Sequence, residues 1–282
     1  SSNIALKLAK KLKKAPIEIA NNIAEHKNDN SDIFEISASS PGFINFHISN
    51  DYYIGILDQI LKDAKNFGKK NKLSKSANVE FVSCNPTGPL TVGHGRQAIL
   101  GDMVSNILTW NGYDVTREYY YNDAGKQMRV LAESCYAKYA QQVGKDVEMP
   151  ENGYIGTYLD EIASKIVENH GKNLEANDSI FRDFTEKEIF LNIKNTLDSI
   201  GIKFDVFSKE GTFYKNGAID NVLKKLKERD LSYEKDGAVW FKTSSLNKEE
   251  DKVLVKSSGE PTYRLPDIAY HADKVDRGFD LI

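Results

Sequence analysis

The sequence is poor in the residues that mark several whole classes of protein. Its 282 residues include two cysteines, Cys84 and Cys135, far apart and without a Cys-x-x-Cys spacing. Neither a disulfide framework nor a thiolate zinc site can be read from them, and a reducing, cytoplasmic setting is expected. His26, His47 and His170 belong to no metal-ligand or nucleophile–base constellation, so no metal site is expected. No apolar run approaches the roughly 20 residues of a membrane helix. The stretch Ser1 to Lys14 has no apolar block of the signal-peptide kind. With 40% hydrophobic and 28% charged residues, the composition is that of a soluble, core-forming chain and excludes a disordered or collagenous one. The length suits one large domain or two ordinary ones.

What is present is unevenly distributed. The net charge is -3, yet residues 1–77 hold 12 Lys and Arg against 8 Asp and Glu. The basic surplus lies in two clusters, Lys7 to Lys14 and Lys62 to Lys75. Such a segment suits a polyanionic partner, and it reads equally as a pair of solvated helix faces.

Ile4, Leu8 and Leu12 recur at helical spacing, and Pro16 opens a second helix whose stripe is Ile17, Ala20, Ile23 and Ala24. Residues 26–32 read as a polar loop. Ile33 to Ser37 and Phe43 to Ile48 read as strands, and Asp51 caps a helix running to about Phe67. Residues 69–77 lack periodicity and are taken as a linker. Then the pattern changes: a strand from Val79 to Ser83, a Pro/Gly-rich loop, a helix from about His94 to Asn111, and a strand from Asp114 to Tyr121. That is a βαβ unit, which implies a parallel sheet. Helices follow over about Gly125 to Gln142 and through 144–200, then a strand over Ile202 to Phe207 and a helix over about Asn216 to Arg229. A hairpin turns at Asp236-Gly237, a strand spans Val253 to Lys256, and a helix covers about Pro266 to Asp276. Phe279 to Ile282 starts like another strand.

The loop between the first strand and helix of the βαβ unit carries the chemistry. A buried strand delivers Asn85, Pro86, Thr87, Gly88, Pro89 and Leu90 onto a helix start at Gly93, His94 and Arg96. Unsatisfied N–H groups and the helix dipole favour phosphate there. Taken as an isolated Gly-His pair, the same feature is an ordinary βα turn. The whole string, however, resembles the HIGH signature of class I aminoacyl-tRNA synthetases, in the arginyl-tRNA synthetase form Asn-Pro-Thr-Gly-Pro-Leu-His-x-Gly-His. The first signature His is Thr91 here. Further ordered matches are the elements Pro41 to Phe46, Asn122 to Gln127, Asp236 to Phe241 and Tyr263 to Tyr270. The tetrapeptide Lys72 to Lys75 imitates the second class I signature, but it precedes the first strand and is read as a basic linker.

The resemblance implies an α/β chain in two parts. Residues 1–68 would form an N-terminal tRNA-binding α+β domain. Residues 69–77 would be a linker. Residues 78–282 would form a class I, Rossmann-like catalytic domain, incomplete in its second half, with a largely helical insertion over roughly 144–240. It implies Thr91 and His94 as catalytic, and Pro86, Thr87, Gly88, Gly93, His94 and Arg96 around ATP. Asn85, Asn122, Gln127, Glu210, Tyr263 and Asp267 would surround arginine, with Asp267 and Glu210 as buried carboxylates for the guanidinium. Lys7, Lys10, Lys11, Lys14, Phe43 and Asn45 would meet tRNA. Read without the resemblance, Asp267 is a favourable first-turn helix acid, Glu210 a solvated loop acid, and Asn85 and Asn122 turn formers.

The implied activity is arginine–tRNA ligation, with ATP as substrate together with Mg²⁺, no tightly bound cofactor, and tRNA(Arg) and L-arginine as partners. It also implies a monomer, no membrane and no DNA, and a need for bound tRNA in arginine activation. The rival readings are a non-catalytic tRNA-binding or regulatory fragment, favoured by Thr91 and by the missing second signature, and another HIGH-type nucleotidyltransferase.

Overall fold

The computed structural model describes residues 1–26, 34–123 and 125–282. It divides into two compact units, Ser1–Lys69 and Lys70–Ile282.

The first unit places two helices, α1 (Ile4–Leu12) and α2 (Pro16–Glu25), with a hairpin of β1 (Phe34–Ser39) and β2 (Phe43–Ile48). Ala5, Ile19, Ala20 and Ile44 form its small core. Ser2 and Ile44 exchange backbone hydrogen bonds at 2.7 and 2.9 Å, which adds an edge to the hairpin. Gly42 has φ +150°, and a Cβ there would lie 2.5 Å from the Pro16 Cβ, so only glycine lets the hairpin turn approach α2. Helix α3 (Asn50–Lys62) is capped by Ser49, whose hydroxyl accepts from the Tyr52 N–H at 3.3 Å. The cap is therefore Ser49 and not Asp51, and the helix ends at Lys62, short of Phe67. The expected polar loop lies, beyond His26, outside the described residues, as does Ile33.

The second unit is built on a parallel sheet of β3 (Ser76–Glu80), β4 (Asp114–Tyr121) and β5 (Val206–Lys209), in the order β3-β4-β5. Helix α4 (Val92–Trp110) makes the first crossover. Helices α5 (Gly125–Gln142), α6 (Thr157–His170) and α7 (Ile180–Ser199) fill the second. Beyond β5 come α8 (Glu210–Lys215), α9 (Ala218–Glu228), the antiparallel sheet β6 (Ser232–Lys235), β7 (Ala238–Phe241) and β8 (Lys252–Val255), and α10 (Arg264–Asp276). Leu281 then lies parallel to β3 on its free side: the Asn78 N–H donates to the Leu281 carbonyl at 2.8 Å, and the Leu281 N–H to Ser76 at 3.2 Å. The chain thus moves outward from β3 through β4 to β5 and returns to the opposite side of β3. That reversal is a topological switch point, and in open α/β sheets ligands bind beyond the carboxyl ends of the strands at such a point.

Three expectations change. Ser76 and Ala77 belong to β3, so the strand claims the end of the supposed linker. The strand read over Ile202 to Phe207 is β5, and Ile202 is buried in the core without being part of it. Because β5 is a sheet strand, residues 144–240 are not one continuous insertion. Their helices α6 and α7 leave the sheet and the chain returns to it. Asp236 and Gly237 have φ of 52° and 73°, as the tight hairpin turn between β6 and β7 demands.

Alternation along β4 sorts its side chains. Tyr119 and Tyr121 enter the aromatic core with Phe190 and Phe207. Glu118 and Tyr120 face α10 on the other side. Glu118 is fully buried and accepts from Ser208, Asn78 and both contacts of the Arg277 guanidinium. Burial pushes its carboxyl up, but these donors and the Arg277 charge together bring it below the ordinary range. Lys274, also buried, pairs with Glu80. These two charged ties fasten α10 to β3 and β4.

Candidate active site

The carboxyl ends of β3, β4 and β5 each release a segment that carries candidate residues. At the end of β3, Val82 and Ser83 adopt φ of 65° and 43°. Two successive left-handed residues, one of them β-branched, are strained backbone. Ser83 holds the bend: its hydroxyl donates to Glu80 Oε1 at 2.7 Å and accepts from the Tyr120 N–H at 3.1 Å, where β3 has left the ladder. The chain then enters the Asn85 to Leu90 loop. The Tyr158 hydroxyl of α6 donates to the Thr87 carbonyl at 2.8 Å, and a Cβ on Gly88 would lie 3.4 Å from that hydroxyl.

The loop ends on α4, with Thr91 at the N-cap position. The Thr91 N–H donates to His94 Nδ1 at 3.1 Å, and the Thr91 hydroxyl oxygen lies 3.2 Å from the same nitrogen. With Nδ1 accepting, the ring proton sits on Nε2, where it can be offered to an oxygen of a ligand. The Thr91 hydroxyl is therefore engaged with His94. Gly93 and Gly95 have no positive φ. A Cβ on Gly93 would meet only the Thr91 hydroxyl at 3.6 Å, and one on Gly95 would meet nothing within 4 Å. Among the described residues, no neighbouring group explains glycine at these helical positions, and the backbone there is open to approach. Gly101 differs, since its Cβ would fall 2.1 Å from Phe81 and the residue is small so that α4 can pack on the sheet. Arg96 is exposed, and Pro86 is buried.

At the end of β4, the Asn122 N–H donates to Asn85 Oδ1 at 3.0 Å, and the Asn85 amide donates to Gln127 Oε1 at 2.7 Å. Three residues expected near the amino acid are thus joined, and Asn85 is held rigidly by the other two. At the end of β5, Glu210 is the first residue of α8 and is 8% exposed. It is a buried acid, and the solvated-loop reading is corrected. Tyr120 donates to its Oε2 at 2.8 Å. Burial, with the nearby Asp123 and Asp267 charges, pushes the Glu210 carboxyl up, against the Tyr120 hydrogen bond that lowers it. Asp123 Oδ1 accepts from the Gly211 N–H at 2.8 Å, and a Cβ on Gly211 would lie 2.7 Å from that oxygen.

Asp267 and Tyr263 depart from expectation. The Asp267 side chain is 57% exposed, 3.6 Å from His271 Nδ1, and Tyr263 is 73% exposed with its ring against the Arg264 guanidinium. Helix α10 starts at Arg264, so Pro266 is its third residue and Asp267 its fourth, with the Asp267 side chain turned to solvent. Asp267 still acts electrostatically on Glu210 and Tyr120. Lys7, Lys10, Lys11 and Lys14 are exposed in the first unit, Lys14 beside Glu18 at 3.3 Å. Phe43 is 37% exposed, and Asn45 donates to Ser39 at 3.0 Å. The decoy Lys72 to Lys75 sits at the other end of the sheet, with Leu73 bonded to Gly112 and Lys72 paired with Asp114.

Sequence reasoning missed Tyr120, Asp123 and Tyr158. The period of two along β4 could have placed Tyr120 opposite Tyr119 and Tyr121. Tyr158 acts across 71 positions of sequence and left no local signal.

A parallel sheet with a glycine-bearing helix start at its switch point, reached through a strained bend at Val82 and Ser83, is the architecture of the first half of a class I aminoacyl-tRNA synthetase catalytic domain. The model for tRNA synthetases class I (R), catalytic domain, matches residues 56–279, and that for the arginyl tRNA synthetase N terminal domain matches residues 1–48. The chain belongs to the arginyl-tRNA synthetase family. The arginine–tRNA ligase of Desulfotalea psychrophila is 46% identical over 286 residues, covering 100% of this chain and 52% of the relative. That of Thermotoga maritima is 46% identical over 285 residues, covering 99% and 52%. A solved structure described as an arginyl-tRNA synthetase from Campylobacter jejuni superposes with a TM-score of 0.76 at 33% identity, over 82% of this chain and 52% of that one. The Thermus thermophilus arginyl-tRNA synthetase shares the fold, with a TM-score of 0.60 at 22% identity, over 94% of this chain and 46% of that one. The chain spans about half the length of the curated relatives it matches. Among the described residues, no helix is long and apolar enough to cross a membrane.

Proposed function

We propose that this chain carries the amino-acid and nucleotide site of an arginine–tRNA ligase. The observation that supports it best is the buried Glu210 carboxylate at the carboxyl edge of the sheet, on which the Asp123 and Asp267 charges act, together with the Asn85–Asn122–Gln127 cluster. The shared negative charge of the three acids suits a guanidinium, whose five donors form a planar fork. Asn85, Asn122 and Gln127 supply amides for the α-ammonium and carboxylate. The start of α4, with Gly93, His94 and Arg96, receives the phosphates of ATP, which enters with Mg²⁺ as part of the substrate. Pro86, Thr87 and Gly88 shape the loop over the nucleotide.

In this reading the arginine carboxylate attacks the α-phosphorus of ATP, the bond to the β-phosphate oxygen breaks, and pyrophosphate leaves. A terminal ribose hydroxyl of tRNA(Arg) then attacks the arginyl carbonyl, and AMP leaves. The protein contributes positioning and charge stabilisation, and no covalent enzyme intermediate is required. His94 Nε2–H and the α4 amides stabilise the charge that builds on the phosphate oxygens. The exposed lysines and Phe43 of the first unit are assigned to tRNA. The same reading makes the enzyme a cytoplasmic monomer. The test is arginine-dependent, tRNA-stimulated pyrophosphate exchange by the complete enzyme carrying Glu210→Gln. Loss of arginine use with intact ATP binding supports the assignment, and unchanged arginine dependence contradicts it.

A further inference from the structure

Three carboxylates stand on separate elements, Glu210 at the start of α8, Asp123 after β4 and Asp267 on α10, and the Glu210 and Asp267 charges both act on Tyr120. Its hydroxyl donates to Glu210 Oε2 at 2.8 Å. Its ring stacks on Tyr270, with centroids 4.3 Å apart and planes 16° from parallel. Tyr270 lies one helical turn after Asp267 and is 1% exposed. The Lys274 ammonium, paired with Glu80, sits 4.1 Å from the Tyr270 ring centroid. The stack is thus anchored through Lys274 to β3, and Tyr120 is a crosspiece between α8 and α10.

We propose that Tyr120 is a positioning residue for arginine selection: it fixes the Glu210 carboxylate at a set distance from Asp267 and directs the remaining oxygen, Oε1, to the guanidinium. This inference rests on the arginine reading of the site. A planar fork needs acceptors at defined separation, whereas an ammonium point charge tolerates drift. Tyr120 also governs the charge of Glu210. The groups acting on Glu210 are Tyr120 from β4, Asp123 from the following loop, Asp267 from α10 and Tyr214 from α8. Lys209, next in sequence, turns to Glu186 and Asp123. Of these, Tyr120 supplies the hydrogen bond that favours the carboxylate form, while burial and the two aspartates oppose it. Burial and the Glu210 charge hold the Tyr120 hydroxyl far above its ordinary range, so it stays a donor. Because the Glu210 carboxyl is raised, arginine binding weakens as pH falls through its titration. Without the tyrosine hydroxyl that weakening begins at higher pH.

The experiment is calorimetric titration of L-arginine into the 282-residue chain and its Tyr120→Phe, Glu210→Gln and doubly substituted forms, from pH 5.5 to 8, beside thermal melts. Phenylalanine keeps the ring stack and removes only the hydroxyl. Tyr120→Phe should bind arginine about tenfold more weakly, as expected for loss of a hydrogen bond to a charged group. Its affinity should fall off at higher pH than that of the unsubstituted chain. In the Glu210→Gln background the same change should have little further effect, because Tyr120 acts through Glu210. A hydroxyl that mattered only for folding would lower the melting temperature and leave the pH profile and the coupling untouched, which overturns the proposal. Normal affinity and pH profile in Tyr120→Phe, with loss in Glu210→Gln, overturns it while the arginine reading stands. Normal binding in Glu210→Gln, or no binding by the unsubstituted chain, brings down that reading and the proposal together.

Discussion

Glycine at the start of α4 gives a prediction in which stability and binding move in opposite directions. Gly95 lies in the first turns of a 19-residue helix, without positive φ, and an added Cβ would touch nothing within 4 Å. Alanine there gains helix propensity and restricts the unfolded chain, which together stabilise by about 0.5–1 kcal/mol. For a unit of this size that is a rise in melting temperature of roughly 1–4 °C. The same methyl group would stand where a phosphate approaches the helix amides, so affinity for a non-hydrolysable ATP analogue should drop by about tenfold or more, equivalent to loss of one charge-assisted hydrogen bond. Gly101→Ala is the internal contrast. Its Cβ would meet Phe81 at 2.1 Å, and overpacking of that kind costs about 1–3 kcal/mol. Thermal melts and calorimetric titration read both quantities. A stabilised Gly95→Ala chain with unchanged nucleotide affinity would refute the claim that these glycines serve a ligand. A destabilised one would show that the helix start is packed more tightly than the structure has it.

Three further outcomes follow from the geometry. Thr91→His in the complete enzyme should maintain or improve adenylation, because an imidazole adds a phosphate donor. A large loss would mean that the Thr91–His94 contact, at 3.2 Å, is the working arrangement. Removing residues 1–70 should weaken tRNA binding and flatten its salt dependence, since counterion release scales with phosphate contacts. An unchanged salt slope would make Lys7, Lys10, Lys11 and Lys14 an ordinary solvated face. Asp267→Asn should weaken arginine binding by up to about fivefold, the scale of an exposed ion pair, because the side chain is 57% exposed. A loss of several-hundred-fold would show that Asp267 meets the substrate shielded from solvent.

Much of this architecture is legible in the residues. The tight turn Asp236-Gly237 and the βαβ unit from β3 to β4 follow from local chemistry, because turn glycines and strand periodicity act within a few residues. The HIGH-like string was readable for the same reason: loop and helix start are contiguous. The amino-acid end was read less well. Read without the resemblance, Glu210 looked like a loop acid, because the helix it opens, α8, is only six residues long and has no periodic stripe. Asp267 was expected to be buried, yet α10 buries the face carrying Leu265, Ala269 and Tyr270 and turns Asp267 outward. Tyr120 owes its position to partners 90 and 150 places along the chain, Glu210 and Tyr270. No local pattern encodes such a contact.

The central claim is that Glu210 and the acids beside it recognise a guanidinium, and the most direct measurement is paired calorimetric titration of the chain with L-arginine and L-citrulline. Citrulline keeps the length and shape of arginine but carries a neutral urea, so it leaves the Glu210 carboxylate without a cation. The account predicts saturable binding of arginine, with citrulline weaker by about tenfold or more, a gap that narrows in Glu210→Gln. Equal affinity for the two ligands in the unsubstituted chain would contradict it.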